Sequence, residues 1–139
     1  MTMDDIRWKQ RFDNFQKALV LLREVRERSV ATLSEMEKEG AAQRFEFTFE
    51  LAWKTLKDYM EYQGMNNVDS ALRQVIKTAT GVGILKDSDI WLEMLLQRNQ
   101  LAHRYDRRVF NTALDYLETR YHDAFERLHD FFLEKLVES

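Results

Sequence analysis

Hydrophobic positions recur along most of the chain at steps of three and four. Phe12, Phe15, Leu19 and Leu22 define one helical face, and the same register runs on to Leu33 and Met36. A first helical block therefore spans about Asp4 to Glu39. Arg26 and Ser29 fall on its apolar seam, which predicts a bend, or a helix that ends early and restarts. Gly40 and Gly64 bracket a second block. Phe45, Phe47, Phe49 and Leu51 alternate there with Glu46, Thr48 and Glu50, as in a strand. The 23 residues between the glycines carry no turn signal and exceed a typical strand. The stripe Phe45, Phe49, Ala52, Leu56, Tyr59 outlasts the alternation, so the block reads as a helix with a second apolar edge at Phe47 and Leu51. So wide an apolar surface is expected to touch more than one neighbour, another subunit included.

A short helix is expected from about Asp69 to Ala79, capped by Asn67 or Asp69 and ended by Gly81. A fourth begins near Asp87, Ser88 or Asp89 with the stripe Trp91, Met94, Leu95, Leu101, Ala102. The last starts after the cap Asp106 and carries Phe110, Leu114, Leu117, Tyr121, Ala124, Leu128 and Phe131 almost to the end. Four long helices and one short one, closely connected, predict an all-α, antiparallel up-and-down four-helix-type bundle in one domain over residues 1–139.

Composition sharpens this. The chain has no proline and four glycines, too few for the many tight turns of a sandwich or barrel. It has no cysteine, which removes disulfides, thiolate nucleophiles and cysteine-ligated metals. The longest uncharged stretch, Thr78 to Leu85, is eight residues and cannot span a bilayer. The opening MTMDDIRWKQRF lacks a signal-peptide core, so the expected location is cytoplasmic, away from membranes. Net charge is −3, so any case for nucleic acid must rest on local charge.

Such a local excess exists. Residues 98 to 108 hold Arg98, Arg104, Arg107 and Arg108 against Asp106 alone, or +3, which leaves −6 for the rest. Arg98 interrupts the apolar stripe between Leu95 and Leu101, a costly place for a guanidinium without an anionic partner. On a continuing helix, Tyr105 would fall within about 20° of Arg98, and Asn99 and His103 would share the adjacent strip. A structural reading competes: Arg98 could pair with Glu46, Glu50 or Asp58 of the second helix, and His103 could merely favour a helix C-terminus. His122 and His129, seven apart, lack an evident third metal ligand and read as a solvated flank. Gly81-Val82-Gly83 is too short for a phosphate loop.

The run Arg98-Asn99-Gln100-Leu101-Ala102-His103-Arg104-Tyr105 resembles the motif of the HEPN superfamily of small helical ribonucleases, and with its tyrosine the HepT toxin signature. Residues 43 to 57, QRFEFTFELAWKTLK, and residues 89 to 95, DIWLEML, are similar to the nucleotidyltransferase substrate-binding branch of that superfamily. The resemblance covers nearly the whole chain. It implies a HEPN-like bundle, a homodimer and a minimal nucleotidyltransferase encoded alongside. It also implies a metal-independent endoribonuclease toxin that needs no cofactor and is neutralised by AMP addition to Tyr105.

The residues suit that chemistry. His103 can move protons near neutral pH, and Arg98 is a fixed cationic fork for a crowded phosphorane. Asn99 would orient the histidine or the phosphate, and Arg104, Arg107 and Arg108 would hold flanking RNA phosphates. Tyr105 would contact substrate or carry the modification. One chain offers one such histidine, so a two-fold dimer would supply the base and the acid. Trp53, Lys54 and Lys57 on the second helix are weaker candidates for partner contact, since a wide apolar face often marks an interface. The alternative function is a non-catalytic adaptor that presents substrate, or Tyr105 itself, to the nucleotidyltransferase.

Overall fold

Stacked aromatic rings hold the molecule together. In the computed structural model, which describes residues 2–65 and 71–138, Phe45 lies on Phe49 (6.0 Å between ring centroids) and Phe49 on Trp91 (6.1 Å). Trp91 then meets the edge of Phe125 at 5.6 Å, and Trp8 meets Tyr59 edge-on at 5.1 Å. Such pairs add to the burial of large apolar area. They join helices α1 (Met3–Arg28), α2 (Glu35–Tyr62), α4 (Ser88–Leu101) and α6 (His122–Glu138). The short α3 is Leu72–Gly81, and α5 is Arg107–Tyr116. A π-helical turn, Leu117–Tyr121, runs α5 into α6 as one long rod. No strand occurs among the described residues, and the architecture is the expected all-α, up-and-down bundle. No helix among them is long and apolar enough to cross a membrane.

The break in the first block comes at Ser29. Its φ of 67° lies in the region that favours glycine, and its N–H donates to Val25 O and Arg26 O. A 3₁₀ turn, Val30–Thr32, follows, and Val30 N–H donates to Glu118 Oε1 of the π turn at 3.2 Å. The helix then restarts at Glu35, so of the two expectations the early end is the one realised. Gly40 is not a boundary: it sits inside α2. The true start is a capping box, where Ser34 Oγ accepts from Glu37 N–H at 3.1 Å and Glu37 Oε1 accepts from Ser34 N–H at 2.9 Å. The Ser34 backbone donor, with Arg28 beside it, pulls the Glu37 carboxyl down to about 2.

Helical periodicity wins over the strand-like alternation of α2. Phe45 and Phe49 are buried, whereas Phe47 is 63% exposed. The expected caps of α3, Asn67 and Asp69, lie outside the described residues, and that helix begins at Leu72. At α4 the cap position belongs to Asp87, whose carboxylate is taken instead by Arg127.

Two features of the last rod differ from expectation. Beyond the π turn Phe125 and Phe132 are buried, while Phe131, expected on the apolar stripe, is half-buried at its edge. His122 is no solvated flank: it is 3% exposed, and its Nε2 lies 2.8 Å from Glu126 Oε2. Glu126 also accepts a two-pronged pair from Arg23 of α1, at 2.8 and 2.7 Å. His129 packs on Phe12, with ring centroids 5.6 Å apart.

Phe49→Ala should cost about 3–5 kcal/mol in urea denaturation, because it opens a cavity between Phe45 and Trp91. Stability should also carry a specific acid limb. Arg23 first, and His122 with it, hold the Glu126 carboxyl down to about 2, and burial lowers the His122 pKa. Both folded-state values lie below the unfolded ones, so their stabilisation is present above the unfolded values and is lost as pH falls. Thermal melts should show the loss begin below the ordinary imidazole value of 6.5 for His122 and continue from 4.5 down to about 2 for Glu126, and Glu126→Gln should flatten that lower part.

Candidate functional site at the turn between α4 and α5

The candidate chemistry sits where α4 stops. Leu101, 1% exposed, is its last residue and Ala102 its C-cap. The chain then folds back through hydrogen bonds from Ala102 N–H to Asn99 O, His103 N–H to Gln100 O and Asp106 N–H to His103 O. Asp106 caps α5 by accepting from Val109 N–H at 3.3 Å, as its place in the sequence predicts. Buried Phe110 anchors the far side of the turn. Two apolar anchors and one cap thus hold residues 102–106 outward.

Because α4 ends at Leu101, Tyr105 does not reach Arg98 by helical phase. The turn gives it a different neighbour. The Tyr105 hydroxyl lies 2.8 Å from His103 Nδ1, with the rings edge-on and 5.5 Å between centroids. Both side chains are exposed, Tyr105 by 82%. The pairing uses Nδ1, which leaves Nε2 as the ring nitrogen for proton exchange. Asn99 is exposed on the last turn of α4.

Arg98 is half-buried on the same last turn, with Nη2 3.5 Å from Glu50 Oε2. Glu50 also accepts from Trp53 Nε1 at 3.0 Å and pairs with Lys54 at 3.2 Å. Burial pushes its carboxyl up, but the Trp53, Lys54 and Arg98 donors outweigh this and hold it below the ordinary value. Trp53 and Lys54 therefore join Arg98 through a shared carboxylate. Lys57 does not take part; it pairs with Glu61 one turn on, at 2.8 Å. Asp58 is committed to Arg11.

The remaining arginines differ in their freedom. Arg104 pairs with Glu39 at 3.2 Å and with Glu46. Arg107 pairs with Glu39 at 2.9 Å and with Glu35, while its guanidinium lies 4.2 Å above the Phe110 ring. Arg108 is exposed and makes no ion pair among the described residues.

Four glutamates of α2 therefore meet three arginines of the turn, in antiparallel order. Glu35, Glu39, Glu46 and Glu50 fall within about 60° on one helix face and span about 22 Å at 1.5 Å per residue. Sequence reasoning found Glu46 and Glu50 as partners for a cation but missed Glu35 and Glu39. Their signal was the pair of four-residue steps, 35 to 39 and 46 to 50, in one register.

Residues 10–134 match the family described as nucleotidyltransferase substrate binding protein like, a HEPN-like fold, and the chain belongs to that family. A curated relative, "Probable ribonuclease HepT" of Haemophilus influenzae, is 30% identical over 71 residues, which is 49% of either chain. The match thus spans about half of that relative. A crystal structure of a Thermus thermophilus protein superposes with a TM-score of 0.72 at 31% identity, covering 82% of this chain and 94% of that one.

Asp106→Ala should lower stability by about 1 kcal/mol through loss of the α5 cap. Hydrogen exchange should localise the effect to the amides of residues 107–110.

Proposed function

We propose that this chain is the HEPN-type partner subunit of a minimal nucleotidyltransferase, and that its own activity is endoribonucleolytic cleavage of RNA. The observation that carries this reading is the exposed His103–Tyr105 pair, displayed on an anchored turn beside Arg98 in a chain of this family. The name of the Haemophilus relative points the same way.

The reaction uses protein groups alone. His103 Nε2 takes the proton from a ribose 2′-hydroxyl, whose oxygen attacks the adjacent phosphorus. The bond from phosphorus to the 5′-oxygen breaks, and that oxygen receives a proton from a second imidazolium. The products are a 2′,3′-cyclic phosphate and a 5′-hydroxyl end. A two-fold homodimer supplies the second histidine. Arg98 stabilises the charge on the phosphorane, Asn99 orients the phosphate or the imidazole, and Arg108 with Arg104 and Arg107 meets flanking phosphates. AMP addition to the Tyr105 hydroxyl would break its contact with His103 and place bulk and negative charge in the RNA path, and so neutralise the toxin.

A second reading has its own support. Arg98, Arg104 and Arg107 are all paired with α2 carboxylates, as a non-catalytic adaptor that presents Tyr105 to the nucleotidyltransferase would tolerate.

Induced cytoplasmic expression of the chain beside His103→Ala separates the two. The ribonuclease reading expects growth arrest and cleaved total RNA with the unaltered chain, and neither with the variant. Normal growth and intact RNA from both folded proteins would leave the adaptor. Co-expression with the nucleotidyltransferase should add one AMP to the chain by mass spectrometry, and Tyr105→Phe should abolish it.

A further inference from the structure

We propose that the glutamate strip of α2 is an internal stand-in for RNA phosphate, a latch that occupies Arg104 and Arg107 until RNA displaces it. This rests on the RNA-cleaving reading above and adds a regulation of that same site.

The pairing has the form that phosphate recognition takes. Each of the two guanidiniums lies between two carboxylates, and Glu39 is shared between them, hydrogen-bonded to Arg107 and ion-paired to Arg104, as a backbone phosphate can be shared by neighbouring arginines. The anions follow one another along a single helix face, in register with the cations of the turn.

The latch is also built to open. Arg104 and Arg107 are 36% and 37% exposed, so solvent and competing anions reach them. Glu35 is the first residue of α2, where the helix dipole keeps a carboxylate content without its arginine. Arg107 stays poised when released, because its guanidinium rests on Phe110. The fold does not need these pairs to shape the turn. Leu101, Phe110 and the Asp106 cap already do so. The Arg23–Glu126 pair differs, since its carboxylate is rooted on buried His122.

A carboxylate that only shaped the turn would weaken RNA binding when neutralised. A carboxylate that competes with RNA would strengthen it. The probe is a fluorescein-labelled, 2′-O-methylated oligouridine, which cannot be cleaved at its 2′ positions, read by fluorescence anisotropy against the full chain. Glu39→Gln and Glu46→Gln should each tighten binding severalfold. They should also steepen the salt dependence by about 0.7 per arginine freed on a single strand. Glu134→Gln, the same charge change on exposed α6, controls for net charge and should shift affinity far less. Circular dichroism shows that each variant is folded, and the two latch variants stand in for one another if one does not fold. Wild-type binding left unchanged or weakened by the folded latch variants overturns the latch alone. Tightening equal to that of Glu134→Gln overturns it too. Absence of binding by every protein overturns the latch together with the RNA-cleaving reading.

Discussion

The stack of Phe45, Phe49 and Trp91 fixes where α2 lies against α4, and the rest of the molecule's surface chemistry depends on it. A helix has two sides. Once the phenyl rings of α2 are committed inward, its glutamates at 35, 39, 46 and 50 are committed to one other direction. That direction is the end of α4 and the turn after it. The apolar core thus determines which charges meet, although the charges contribute little to holding the core.

Much of the fold is legible in the sequence because helical periodicity is a strong signal over long runs. The strand-like run at 45–51 is resolved by its continuation, and Asp106 announces α5 correctly. Where reading fails, the cause is local. The early end of α1 is announced by Arg26 and Ser29 on its apolar seam, whereas the positive φ of Ser29 and the passage of α2 through Gly40 are not. Buried His122 meets Glu126, and that glutamate is held by Arg23, 103 residues away along the chain. Phe131 and Phe132 both lie near the apolar face by spacing, and spacing alone does not show that Phe132 is the fully buried one.

The candidate site is legible in its residues and not in its geometry. The basic cluster, the lone histidine with its tyrosine, and the out-of-place Arg98 all stand out by type and spacing. What spacing cannot supply is the helix stop at Leu101, which turns an expected Arg98–Tyr105 face into a His103–Tyr105 pair. Nor does local charge arithmetic show that most of the +3 is answered by a strip 48 to 72 residues earlier. The excess is real along the chain and largely cancelled in space.

The π turn has a consequence of its own. It joins the rod that carries Arg107 to the rod that carries the buried Phe125 and Phe132. It also holds Tyr121 and Arg120 on Glu93 of α4. Each residue of an α-helix turns the chain by about 100°. Were the same five residues wound as ordinary helix, with none lost, one half of the rod would be swung by roughly that angle against the other. The core would keep α6 where it is, and Arg107 would face away from α2. The five-residue turn is therefore a phase adjuster, and its width is what keeps Arg107 facing α2.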